Sequence, residues 1–125
     1  MTLSVAATIR PPVIHEPFTP LPCPLHPDTT TDVEGCQERR ILRTDRAIGR
    51  DVRTIFRLLR TRSARASFVA GEQHWLRYRR ESCTAKASSY AGGSGEPVAY
   101  LTCTLRRNTS HLADLVATRK TLGRR

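Results

Sequence analysis

Cys23, Cys36, Cys83 and Cys103 are the residues whose chemistry this sequence constrains most narrowly. Four cysteines permit three pairings. Cys23 and Cys36 bracket a proline-rich lead-in and the start of a helix, and Cys83 and Cys103 bracket the turn SSYAGGSGEP. Pairing within each bracket closes loops of roughly 14–21 residues, each stabilising by about 3 kcal/mol in the chain-entropy model. Zinc is the competing chemistry. Cys23-Pro-Leu-His26 has C-x-x-H spacing and Cys36 offers a third ligand, but Cys83 and Cys103 lack a C-x-x-C partner, so no complete four-ligand set is visible. Disulfides are the preferred reading, and they persist in oxidising compartments. No metal or other cofactor is expected, and no C-x-x-C-H haem motif occurs.

The remaining catalytic residue types are scattered. His15 and His26 lie in the proline-rich stretch, His74 adjoins Trp75, and His111 stands far downstream. No paired acid, nucleophile or metal set accompanies any of them, so each is expected on the surface and no catalytic residue is assigned. Gly92-Gly93-Ser94-Gly95 lacks the G-K-S/T ending of a phosphate loop and reads as a helix-to-helix turn.

Arginine is the third chemical feature. The chain has 125 residues and a formal net charge of +10; of its 21 basic residues only Lys86 and Lys120 are lysines. Between Arg39 and Arg65 ten arginines face only Asp45 and Asp51, a local charge of +8. Guanidinium forks match oxyanions, which makes Arg43, Arg46, Arg50, Arg53, Arg57 and Arg60 candidate anion-binding residues. GC-rich codon usage also produces such an excess, and is the preferred explanation of it.

These side chains need helices to position them. TTTDVEGC opens the first, with Thr31 and Glu34 in the spacing of a capping box. Ile41, Ile48, Val52, Ile55 and Leu59 then form an apolar stripe. Arg39, Arg43, Arg46, Arg50, Arg53, Arg57 and Arg60 follow the same rhythm about 150° away, on the outer face. A second helix is expected from about Ser67 to Tyr90, with Phe68, Trp75, Leu76, Arg79 and Cys83 on one face. Arg79 on that face needs an anion if it is buried. Asp45, on or beside the apolar stripe of the first helix, is the expected partner in a structural ion pair. Pro97 suits the first position of a third helix, which continues through Val98, Leu101, Leu105, Leu112, Leu115 and Leu122. Asn108 and Arg119 interrupt that seam, and Asn108 marks an expected kink or break near residues 108–110.

The fold class that follows is all-α. It is a small antiparallel bundle of three helices, or four if the last one breaks, stapled by disulfides. Seven of eight prolines fall between Pro11 and Pro27, so residues 1–30 are expected to be an irregular segment and residues 31–125 the helical domain. A core that small buries only about 60–65% of its unfolded surface, so covalent closure matters. No apolar run reaches membrane-spanning length. Residues 3–9, LSVAATI, are too short for a complete signal h-region and follow no basic n-region. An export signal is therefore expected to be absent or to lie upstream of this start.

With these pieces in place the sequence resembles the LprI-type lysozyme inhibitor family. The resemblance rests on TTTDVEGC and Asp45, on W-x-x-Y-R-x-x-x-C from Trp75 through Tyr78 and Arg79 to Cys83, on Gly92-Gly93-Ser94, and on Cys103. It covers residues 23 to about 115. Two stretches depart from the family pattern: Gly71-Glu72 stands where Ala-Gln is usual, and Arg107-Asn108-Thr-Ser-His111 where L-T-x-x-R is usual. The resemblance implies a secreted or lipid-anchored helical domain with intramolecular disulfides and, for some members, inhibition of lysozyme.

The first expected function is thus a non-enzymatic binder of the cell envelope, outside the cytoplasm, with lysozyme as candidate partner. A lysozyme cleft holds two carboxylates, and a guanidinium from Arg77, Arg79, Arg80 or the first-helix row would pair with both. Against this, animal lysozymes are basic, so a +10 partner is repelled at long range. The alternative is electrostatic attachment to an acidic polymer such as teichoic acid, anionic lipid or nucleic acid. Sequence-specific nucleic-acid reading is not expected, because seven aromatics with Trp75 in the core supply no stacking platform.

Overall fold

The computed structural model describes residues 8–93 and 95–124. They form three helices, α1 Thr30–Leu58, α2 Arg62–Ser88 and α3 Gly95–Gly123, preceded by an irregular strap. No strand occurs among the described residues. Ser94 and most of LSVAATI lie outside them.

Helix α1 begins earlier than the Thr31–Glu34 reading places it. Its N-cap is Thr29, whose hydroxyl accepts from Asp32 N–H while the Asp32 carboxylate accepts from Thr29 N–H. The reciprocal box forms two residues upstream because Thr29-x-x-Asp32 has the same spacing with a shorter acid. The apolar stripe turns inward: Ile41, Ile48, Val52 and Ile55 are fully buried. Arg39, Arg43, Arg46, Arg50, Arg53 and Arg57 face solvent on the other side.

Helix α2 starts at Arg62 rather than Ser67. Two local bonds explain the earlier start. Thr61 accepts from Ala64 N–H as N-cap. Arg65 then donates back to the carbonyls of Phe56 and Leu59 at 3.0 and 2.9 Å. Those carbonyls would otherwise be orphans at the end of α1, and the Arg65 guanidinium also sits 4.9 Å from the Phe56 ring centroid. One side chain therefore closes α1 and opens α2. The next connection turns at Gly92, whose φ of 82° lies in the region open mainly to glycine.

Helix α3 is unbroken, so the expected interruption at Asn108 does not occur and the bundle has three helices. Asparagine weakens a helix when its side chain competes for backbone groups. Here it points into the bundle and bonds other side chains. Pro97 is the third helical residue rather than the first, still within the turn that needs no backbone donor.

α3 packs against both α1 and α2. The strap fills the seam between α1 and α2. Ile14 joins Ile48, Val52, Ile55 and Leu115 in the core, with Trp75, Leu76 and Phe68 packed around them. Further along, the strap crosses α1 at Gly35. A Cβ there would come within 2.7 Å of the Leu21 carbonyl oxygen and closer still to that of Pro22. Glu38 accepts from Leu21 N–H at 2.9 Å, and a disulfide joins Cys23 to Cys36. A second disulfide joins Cys83 on α2 to Cys103 on α3. The Cα atoms of the two pairs are 4.6 and 5.4 Å apart, within the usual reach of the bond.

Candidate functional site

A polar cluster sits inside the apolar bundle. Arg79 is 3% exposed, Asp45 1%, Glu16 5% and Asn108 0%. The Arg79 guanidinium donates to Asp45 Oδ1 at 2.8 Å, to Asn108 Oδ1 at 2.7 Å and to Glu16 Oε1 at 3.3 Å. Asn108 Nδ2 donates to Asp45 Oδ1 and to Thr44 Oγ1, both at 2.8 Å. Glu16 N–H donates to Asp45 Oδ2 at 2.9 Å, and the Tyr100 hydroxyl donates to Glu16 Oε1 at 3.1 Å. Every structural unit thus enters one network: the strap through Glu16, α1 through Asp45, α2 through Arg79 and α3 through Asn108 and Tyr100. Burial raises the Tyr100 phenol pKa, and the neighbouring Glu16 charge raises it further.

Asp45 and Arg79 are therefore placed together, but Arg79 is not available to a partner protein. Its guanidinium is consumed by the cluster, and Trp75 lies 5.3 Å away on one side. Of the α2 arginines considered for a lysozyme cleft, Arg77 and Arg80 are exposed, as is the first-helix row. Glu16, Asn108, Thr44 and Tyr100 were not foreseen in this network. Asn108 had a visible signal, a polar break in a leucine seam, whereas Glu16 sits among prolines with no periodicity to mark it.

His111 is also not a free surface residue. Its Nε2 lies 2.8 Å from Glu72 Oε2, and its ring stacks on Trp75 with centroids 3.9 Å apart. Glu72 and His111 fall one in each of the two stretches, Gly71-Glu72 and Arg107-Asn108-Thr-Ser-His111, that set this sequence apart, and they contact each other. His15, His26 and His74 are exposed.

The candidate anion-binding arginines divide by position. Arg46, Arg50 and Arg53 line a groove of about 440 Å³ between α1 and strap residues 11–15, which include His15. Arg57 and Arg60 line a separate hollow with Leu58, Leu59 and Leu122. Arg43 is exposed and lines neither. On the other side of the strap, Arg77 and Arg80 line a second groove with Val13, His15 and Glu81.

A third surface lies where α2 meets α3. Arg107 stacks over exposed Tyr78 at 5.0 Å. Near the Cys83–Cys103 bond, Tyr90, Lys86, Val98 and Arg106 line a shallow hollow of about 360 Å³. Among the described residues no group of three or more His, Cys, Asp or Glu side chains is arranged to hold a metal. Cys23 and Cys36 are bonded to each other, which removes both thiolates from the zinc reading. No helix among these residues is long and apolar enough to cross a membrane.

No curated protein and no solved structure matches this chain. A family model described as "Lysozyme inhibitor LprI" matches residues 23–115, a span that begins at the first disulfide cysteine and contains both bonds, Asp45, Arg79 and Asn108. The chain belongs to the LprI lysozyme inhibitor family.

Proposed function

We propose that this chain is an extracytoplasmic, non-enzymatic binding protein that inhibits lysozyme. The observation that carries the reading is the family match across residues 23–115. Two disulfides support the compartment, since such bonds persist where thiols are not kept reduced. The contact surface we assign is the α2–α3 side bearing Tyr78, Tyr90, Arg106 and Arg107. Tyrosine and arginine dominate the energetics of protein interfaces. Exposed Arg106 beside Tyr90 offers a guanidinium to a cleft built around two carboxylates.

Hydrolysis of a soluble chitooligosaccharide by lysozyme tests this without a charged wall substrate. The expected result is saturable inhibition that weakens about 10-fold for Arg106→Ala or Tyr90→Ala, equivalent to about 1.4 kcal/mol. Arg77→Gln/Arg80→Gln should inhibit within about twofold of the unaltered chain, because rim charges away from the contact matter little to affinity. Both proteins being basic, association should speed up as salt rises, since screening removes repulsion. Absence of inhibition across that salt range overturns the reading.

A further inference from the structure

The two grooves beside the strap form one basic face. Arg46, Arg50 and Arg53 come from α1, Arg77 and Arg80 from α2, and His15 lines both grooves from the strap between them. All six are exposed. Among the described residues none of these five arginines joins an ion pair, unlike Arg79 and Arg119. Two carboxylates line the grooves. Asp45 is occupied by Arg79, Asn108 and the Glu16 backbone. Glu81 subtracts one charge, so the face keeps an excess of four from five guanidiniums.

We propose that this face binds a linear phosphodiester polymer with a slender polyol backbone. Along α1 the arginines recur every three or four residues, a spacing of about 5 Å along the helix axis. They thus present a row of forks to a row of oxyanions rather than a single point charge. The grooves, of about 440 and 370 Å³, are shaped for a thin chain. A base-bearing strand would need aromatic stacking surfaces, and neither groove is lined by Phe, Tyr or Trp. Insertion into a lipid surface would need a broad apolar face, whereas Val13 is the exposed large apolar side chain lining them. The face is separate from the α2–α3 surface assigned to lysozyme. On α2, Arg80 and Tyr78 lie one residue to either side of buried Arg79, which turns them about 200° apart.

Fluorescence polarisation of a labelled poly(glycerol phosphate) with the full, disulfide-bonded chain tests the proposal. Five single-strand phosphate contacts give a log–log salt slope near −3.5, a loss of about 100-fold in affinity between 50 and 200 mM salt. Arg46→Gln/Arg50→Gln/Arg53→Gln should weaken binding about 10-fold more than Arg39→Gln/Arg43→Gln/Arg60→Gln, which removes the same charge outside the grooves. Arg77→Gln/Arg80→Gln should also weaken it. All are exposed positions, and matched thermal melts verify folding. Equal losses in the two triple variants would mean a diffuse polycation and would overturn the proposal. So would tighter binding, at equal phosphate, to duplex DNA or to phosphatidylglycerol vesicles. Because salt weakens this interaction and strengthens the lysozyme one, either can fail without the other.

Discussion

The Arg79 guanidinium satisfies three acceptors drawn from three different parts of the chain, so its removal leaves more than a cavity. In Arg79→Met the apolar stem is roughly kept while the Asp45 and Glu16 carboxylates lose their cation inside the bundle. Breaking a buried pair from one side costs about 3–5 kcal/mol, a large fraction of the stability of a domain this size. Urea denaturation should show that loss for Arg79→Met. Asp45→Asn should cost less, because an amide oxygen still accepts from Arg79. A second prediction concerns Tyr100, whose pKa lies above its ordinary value of 10.0 through burial and the Glu16 charge. A group with a raised folded-state pKa contributes stability below its unfolded value and loses it as pH rises through the folded one. Stability should therefore fall above about pH 10, less steeply in Tyr100→Phe. In a phenol absorbance titration one of three tyrosines should ionise late, and Tyr100→Phe should remove that phase. Sequence reasoning could reach Asp45 and Arg79 because each is a charge on an apolar stripe, a local contradiction visible at helical period. It could not reach Glu16, whose partners depend on where an irregular strap crosses two helices, nor the Glu72–His111 contact, which spans 39 positions.

Helices α1, α2 and α3 were legible because their apolar stripes repeat at 3.6 residues, and their ends were less so because caps depend on single side chains. Thr29 with Asp32 displaced the start of α1. Thr61 and Arg65 extended α2 at its start by five residues relative to Ser67. The strap was legible only as irregular: prolines exclude helix without saying where the chain goes. Its path is held by close backbone approach, and that is testable. At Gly35 a methyl group would meet the carbonyls of Leu21 and Pro22, groups that cannot rotate away as a side chain would. Alanine gains about 1 kcal/mol in a helix over glycine, yet overpacking costs roughly 1–3 kcal/mol. Gly35→Ala should therefore lower the melting temperature by several degrees, whereas Gly71→Ala, where nothing lies within 4 Å, should raise it slightly. An increase at both positions would mean that the strap does not press on α1.

At the scale of the whole molecule, the charge is distributed against itself. Arg39, Arg43, Arg46, Arg50, Arg53 and Arg57 make five consecutive i,i+3 or i,i+4 like-charge pairs on α1, at about 0.2–0.5 kcal/mol each. Their sum, roughly 1–2.5 kcal/mol, opposes folding at low salt. The favourable Arg79 pairs are buried and so barely screened, while the exposed row is screened over about 10 Å at 0.1 M salt. Added sodium chloride should then remove repulsion without removing attraction. Calorimetry should find the melting temperature several degrees higher at 0.2 M than at 0.01 M salt, given about 4–8 °C per kcal/mol for a domain of this size. Arg43→Gln/Arg50→Gln, which interrupts four of the five pairs, should raise the low-salt melting temperature and flatten its salt dependence. A melting temperature that falls with salt would show instead that surface attractions such as Arg119–Asp51, 3.1 Å apart, outweigh the row. A chain that tolerates such a row in isolation is poised to gain stability from any polyanion that neutralises it, since a ligand bound only by the folded state stabilises that state.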